Sequence, residues 1–413
     1  MRQGVCIEVR RLPDSAADPD EVRQAVRRRI SEGPAWATSW REDDAYLAAH
    51  VDKIVVDGDG ADMAADDAVA SARIYVYQPC IVDNVDEFSV GDPSEALDTV
   101  AASVSELPSR ALDGLWESLI YSDRVKWDLL EYIHTTLVFG DAQVDPHVIG
   151  CNRLVLLHGP PGTGKTSLCR ALAQKLAIRL GDRYTHGKLV EINSHSLFSK
   201  WFSESGKLVQ RLFEMVTELV DDQDGFVVVL IDEIESLTKA RASAAAGVEP
   251  SDSLRVVNAL LTQLDRLKQR TNALVMTTSN LTEAIDPAFL DRADIRQYIG
   301  PPGPHAIYSI LRSCIHELVR KGLAHPSVVR GANQTIPTWQ EAQATARAAP
   351  QNFAMDPANE AAAKLYALAG LCSEKGTSGR SLRRLPVIAH ARYLSGSTVL
   401  DWIAAVSAAT QDL

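Results

Sequence analysis

The 413-residue sequence has only six cysteines, and none of them stands in a CxxC pair. Cys6, Cys80, Cys151, Cys169, Cys314 and Cys372 are scattered singly, and no histidines are paired at zinc spacing. Neither a disulfide framework nor a structural zinc site is expected. Isolated cysteines of this kind fit the reduced thiols of an intracellular protein. No apolar run approaches the roughly 18 residues that a membrane helix requires. The opening MRQGVCIEVRRLPD alternates and carries charge, so no secretory signal core is expected. Positive charge is also short, with 42 lysines and arginines against 54 acids and a net charge of -12. Affinity for phosphate backbones draws on clustered bases, so the balance argues against general nucleic-acid binding, though not against a local basic surface.

What is present reads as several folded domains. A hydrophobic fraction of 46% with 23% charged residues is that of a soluble globular chain, and the length allows two or three domains. Residues 1–85 form a small α+β module. Val5, Ile7 and Val9 alternate with Cys6 and Glu8 as in a half-buried strand. Asp18-Pro19-Asp20-Glu21 then supplies an N-cap, a first-turn proline and a capping-box acid for a helix carrying Val22, Val26 and Ile30. A second strand, ARIYVYQPC, ends at Cys80. Residues 41–70 hold nine acids against two bases, which reads as a solvated loop or, functionally, as a docking surface for a basic partner.

Residues 86–109 lack sustained periodicity and are expected to be a linker. In residues 110–302, a helical stripe of Val125, Leu129, Leu130, Ile133, Leu137 and Val138 comes first. From Cys151, short apolar strands alternate with helices, the pattern of an α/β fold with a parallel sheet flanked by helices. After Pro301-Pro302 the strands stop, and residues 303–413 form a helical lid.

The chemistry sits in three strand ends. Leu154 to Leu157 form a buried strand followed by GPPGTGKT, that is Gly159, Pro160, Pro161, Gly162, Thr163, Gly164, Lys165 and Thr166, then Ser167 and a helix with Leu168, Leu172 and Leu176. Strand, glycine loop, lysine, threonine and helix in that order make a phosphate-binding loop. Its backbone N–H groups and the helix N-terminus cradle phosphates, Lys165 reaches the β and γ phosphates, and Thr166 offers its hydroxyl to Mg²⁺. ATP and Mg²⁺ are therefore the expected ligands. The second strand, Phe226 to Ile231, ends in Asp232-Glu233, placed to hold Mg²⁺ through water and to orient or deprotonate an attacking water. The third, ALVMTTSN, ends in Asn280, able to polarise that water. Arg292, in DRADIR, is either a surface arginine or a finger reaching into a neighbouring subunit's site.

Together with the lid segment SGRSLRRLP, these features resemble the AAA+ ATPases. NSHSLFSKWFSESGKLV, EPSDSLRVVNALLTQLD, DPAFLDRADIRQYIGPP and SGRSLRRLPVIAHARY resemble more closely the pachytene checkpoint AAA+ ATPases, whose vertebrate member is also called thyroid receptor-interacting protein thirteen. The likeness is dense from Gly114 to Pro302 and again from Ser378 to Tyr393. Residues 323–360 fit poorly and are expected to be a lid insertion. The resemblance implies an AAA+ P-loop core in a homohexamer that opens closed HORMA-domain proteins, both Mad-two-like and meiotic axis clients, with a comet-type adaptor. It implies that the N-terminal module captures client or adaptor, and that the enzyme works in nucleus and cytoplasm and on chromosomes.

Carried over residue by residue, Lys165 and Thr166 become the Walker A pair and Asp232 and Glu233 the Walker B pair. Asn280 becomes sensor one, Arg292 the arginine finger with Arg296 second, and Arg380 sensor two. Leu119, Ile120 and Tyr121 would hold the base. Lys200, Trp201 and Phe202 match the first pore loop, against the plain reading of Trp-Phe as core, and KARASAAAGVEPSD would be the second. A nucleic-acid translocase or clamp loader shares these ATPase motifs. The acidic balance and the aromatic pore segment weigh against it, and no protease motif or loss of Glu233 supports a proteolytic or purely scaffolding role.

Overall fold

β-Branched and leucine-rich runs become strands here because their second faces are covered. The computed structural model describes residues 5–31, 36–57, 72–80, 86–89, 100–121, 123–145, 148–194, 205–235, 252–280, 285–325, 336–348 and 356–412. Two compact units divide them. The first holds Met1–Trp116, Val125–His158 and Thr166–Gln297; the second holds Glu117–Arg124, Gly159–Lys165 and Tyr298–Leu413. Among the described residues no helix is long and apolar enough to cross a membrane.

In the first unit, β1 (Cys6–Arg11) lies between β2 (Val51–Asp57), antiparallel to it, and β3 (Arg73–Tyr77), parallel to it. The helix Pro19–Ile30 begins as expected, with Asp18 accepting the Asp20 N–H at 2.7 Å and Pro19 in the first turn. It buries Val22, Ala25 and Val26 with Val5, Ile7 and Val9. Glu21, expected to complete a capping box, receives the Tyr46 hydroxyl at 3.2 Å.

Two expectations for this module are corrected. β1 is not half-buried: Cys6 and Glu8 on its second face are as buried as Val5 and Ile7, because that face is covered too. Nor is the start of the acidic run a loop. Trp36–Asp43 and Ala45–His50 are helices, Asp44 caps the second of them, and Val51–Asp57 is β2. Residues 58–71 lie outside the described ones.

The large sheet of this unit has the order β10-β6-β9-β8-β7-β5-β4. Its strands are β4 (Asp86–Ser89), β5 (Val100–Leu107), β6 (Leu154–His158), β7 (His186–Asn193), β8 (Gly225–Asp232), β9 (Ala273–Ser279) and β10 (Ile295–Tyr298). The run from β6 through β9 and β8 to β7 is parallel, as expected for strands buried on both faces. Residues 86–109, expected to be a linker, instead carry β4 and β5, which extend the sheet with β5 antiparallel to β7. Their small side chains, VAASVSEL in β5, give little periodic signal, and the pairing is made by a strand far along the chain. The helices Ser205–Asp221 and Asp252–Leu267 bury Leu212, Phe213, Val216, Leu260 and Leu264 against this sheet. In the helix Val125–Asp141 the expected stripe is buried except for Val138, which is 47% exposed.

The helix Lys165–Arg179 buries Leu168, Leu172 and Leu176, and its last turns meet the N-terminal module through charge. Lys175 Nζ lies 2.6 Å from Glu8 and 2.9 Å from Asp57, and Arg179 lies 3.4 Å and 3.0 Å from the same two carboxylates. Burial opposes the Arg179 charge, but Cys6, Glu8 and Asp57 nearby outweigh it and raise its pKa.

The second unit is helical, as expected for the lid. Pro304–Arg320, Pro357–Glu374, Gly379–Arg392 and Val399–Ala409 enclose Ile307, Leu311, Leu365, Leu382 and Trp402. The expected insertion at 323–360 is in part core. Ile336 and Ala342 join this cluster, and Trp339 stacks on Tyr366 at 4.6 Å. Burial pushes the Tyr308 hydroxyl up to about 12, and it donates to the Pro337 carbonyl at 2.7 Å.

Candidate active site

In the first unit, parallel strands bring their carboxyl ends to one edge, where α/β sheets bind ligands. Asn193 of β7 pairs in register with Asp232 of β8, and His158 of β6 with Ser279 of β9. Asp232 Oδ1 receives the Thr166 hydroxyl at 2.9 Å and also that of Thr278. Asn280 Nδ2 stands 3.4 Å from Glu233 Oε1, and the Asn280 N–H is held by Glu235 at 3.1 Å. Ser194, at the end of β7, donates toward the carbonyls of Asp232 and Glu233 at 2.6 and 2.8 Å. The structure therefore brings together Thr166, Asp232, Glu233 and Asn280.

One carboxylate and one hydroxyl suit Mg²⁺, which keeps waters and substrate phosphates in its octahedron and needs few protein ligands. Among the described residues no cluster of three or more His, Cys, Asp or Glu could cage a metal by itself. Cys169, fully buried in the helix behind Thr166, has its thiol pKa pushed up by desolvation and then by Asp232, so it is no nucleophile.

Arg292 is held in place. Its guanidinium makes a two-pronged pair with Asp265 at 3.0 and 2.9 Å and donates to the Ala288 carbonyl at 2.7 Å. The Asp265 hydrogen bond raises its pKa. Arg296 is exposed and donates to the Leu290 carbonyl at 2.5 Å.

In the second unit, the phosphate loop has positive φ at Gly159, Gly162 and Gly164, of 142°, 78° and 93°. A side chain at Gly162 would bring its Cβ to 2.8 Å from Ser378 Oγ. Lys165 Nζ donates to the Gly159 and Pro160 carbonyls at 2.8 Å each, and Thr163 Oγ1 bonds Pro160 at 3.0 Å. Leu119 and Tyr121 stand beside Gly164, while Ile120 packs on the lid core. The Arg380 N–H donates to the Gly162 carbonyl at 3.1 Å. Pro161 is exposed, and Ser167, in the first unit, is half-buried. Lys200, Trp201 and Phe202 lie outside the described residues, as does nearly all of the expected second pore loop.

Sequence reading missed Ser194, Thr278, Glu235 and Asp265. A signal was available for Thr278: hydroxyls in TTSN end a strand that is otherwise buried and apolar.

Two family models match the chain. That of the ATPase family associated with various cellular activities (AAA) covers residues 155–301, and that of the TRIP13-like, AAA+ ATPase lid C-terminal domain covers residues 303–412. The pachytene checkpoint protein 2 homolog of Sus scrofa is 44% identical over 414 residues, covering 96% of this chain and 89% of the relative. That of Homo sapiens is 43% identical over 408 residues, with the same coverage of both. The chain belongs to the pachytene checkpoint AAA+ ATPase family. As a member it is an ATPase, built to bind nucleotide. The solved structure of C. elegans PCH-2 superposes with a TM-score of 0.77 at 32% identity, covering 99% of each chain. Residues 323–360, expected to be a lid insertion, lie within the span of the lid model.

Proposed function

We propose that this pachytene checkpoint ATPase is a homohexamer that spends ATP hydrolysis on opening closed HORMA-domain proteins, in spindle checkpoint and meiotic axis control. The observation that carries the reading is likeness along the whole chain, N-terminal module included, to relatives named for the pachytene checkpoint. Residues 1–85 would capture client or adaptor, 110–302 the nucleotide, and 303–413 would form the lid.

ATP is bound by the loop Gly159–Thr166, with Lys165 on its phosphates, Arg380 as a further cation and Leu119, Ile120 and Tyr121 at the base. Thr166 and Asp232 would hold Mg²⁺, which would neutralise phosphate charge. Glu233 accepts a proton from water as the water attacks the γ-phosphorus, and Asn280 fixes Glu233's carboxylate; ADP and phosphate leave. Arg292, with Arg296 second, serves the neighbouring subunit's site.

Global unfolding of a client domain would need about 5–15 kcal/mol, whereas termini and edge elements open for much less, so traction by Trp201 on a mobile client end is the economical mode. The clients are Mad-two-like proteins, presented by a comet-type adaptor, and meiotic axis proteins, in nucleus and cytoplasm.

The test is ATP turnover with and without a closed HORMA protein and its adaptor, for wild type and Trp201→Ala. Client-stimulated turnover, with client opening lost in Trp201→Ala, is expected. Turnover indifferent to HORMA proteins but raised by DNA or RNA would overturn the client assignment.

A further inference from the structure

Glu233 has a backbone φ of 56°, in the left-handed region that costs a non-glycine residue about 1–3 kcal/mol. Such a conformation persists only where its surroundings over-determine it. Here those surroundings are two buried hydroxyls. The Glu233 N–H donates to Thr278 Oγ1 at 3.2 Å, and the following N–H, of Ile234, donates to the Thr278 carbonyl at 2.9 Å. Thr278 in turn gives its own proton to Asp232 Oδ1. From the other side, the single Ser194 proton lies between the carbonyls of Asp232 and Glu233. Ser194 and Thr278 are 0% and 2% exposed, so water does not readily replace either one.

The left-handed turn makes these contacts compatible. It points the Asp232 and Glu233 carbonyls toward one donor while leaving the Glu233 carboxylate near Asn280. With an ordinary negative φ, the Cα–Cβ bond of Glu233 would leave in another direction. β8 and β9 are already in register through Ile231 and Thr277, upstream of this turn.

We propose that Thr278 and Ser194 are positioning residues of the ATPase reaction, holding Glu233 in its left-handed conformation and so setting where its carboxylate stands. The inference rests on Glu233 as the base, and the two hydroxyls act through its turn and through Asp232. Their contribution is to orientation, where a misplacement of about 1 Å can lower a rate about a hundredfold.

The test uses the full chain, steady-state ATP turnover and binding of a fluorescent ATP analogue. Ser194→Ala and the isosteric Thr278→Val are expected to lower kcat about a hundredfold with nucleotide affinity and KM near wild type. Thr278→Ser, which keeps the hydroxyl, should restore kcat. Ser194→Ala is the decisive variant, because Thr278 also bonds Asp232 whereas Ser194 bonds only backbone at this turn. If Thr278→Val fails to fold, Ser194→Ala and Thr278→Ser carry the test. Glu233→Gln is the control: wild-type turnover in that variant removes the base assignment itself. An inactive Glu233→Gln beside wild-type kcat in Ser194→Ala, or a loss of kcat that follows a matching loss of affinity, overturns the positioning role alone.

Discussion

The two ends of the helix Lys165–Arg179 are held by opposite means. At its beginning Thr166 touches Asp232 through one neutral hydroxyl, a contact that the proposed binding of Mg²⁺ and phosphates would rearrange. At its end Lys175 and Arg179 are locked to Glu8 and Asp57, with the Lys175 and Arg179 side chains 3% and 4% exposed. Cations at a helix C-terminus also suit the helix dipole. One end is built to exchange partners and the other to keep them. The difference teaches that the N-terminal module is fastened to the far end of the helix whose Thr166 meets Asp232.

That contrast can be broken most strongly at the fixed end. Lys175→Met leaves buried Glu8 and partly buried Asp57 against one arginine and should destabilise the protein by about 3–5 kcal/mol, read from urea denaturation. Replacing Glu8, Asp57, Lys175 and Arg179 together by apolar residues of similar volume should recover most of that loss, since removing a whole buried ion cluster is often neutral. If Lys175→Met unfolds like wild type, the cluster is not what fastens the module.

A smaller effect is expected where an ion pair is partly solvated. Arg292 and Asp265 are 30% and 41% exposed, so Asp265→Asn should change stability by no more than about 1 kcal/mol. It should nevertheless lower ATP turnover, because Arg292 loses its fixed direction. Unchanged turnover would return Arg292 to the rank of a surface arginine.

An effect confined to stability is expected in the lid, where Thr398 and Asp401 form a capping box at the start of Val399–Ala409. Thr398→Ala should cost about 1 kcal/mol in thermal or urea unfolding. The Thr398 hydroxyl and N–H hold the Asp401 pKa below its ordinary value. Because that pKa is depressed on folding, the contribution is present above the unfolded value and is lost as pH falls through the folded one. The gap between wild type and Asp401→Asn should therefore narrow on acidification.

What was legible in the sequence was what neighbouring residues declare by themselves. Gly159 to Thr166, Asp232-Glu233 and the strands before them were readable because loop chemistry and strand burial lie along a short stretch of chain. β5 was not readable, since Ala102 and Val104 become core only by pairing with β7. Glu8 was expected on the open face of a half-buried strand, and only its meeting with Lys175 and Arg179 accounts for its burial. Ser194 and Thr278 carry hydroxyls that sequence alone cannot tell from ordinary strand-end residues; the left-handed Glu233 is what gives them something to hold.

The hydrogen bond from the Arg380 N–H to the Gly162 carbonyl separates two properties of one residue. Its amide fastens the first turn of a lid helix to the loop, and any residue but proline supplies that amide. Its guanidinium is exposed and supplies only charge. Substituting the side chain therefore edits the electrostatics of the loop's surroundings without cutting its tether, so Arg380→Ala and Arg380→Pro ask two different questions at the same position.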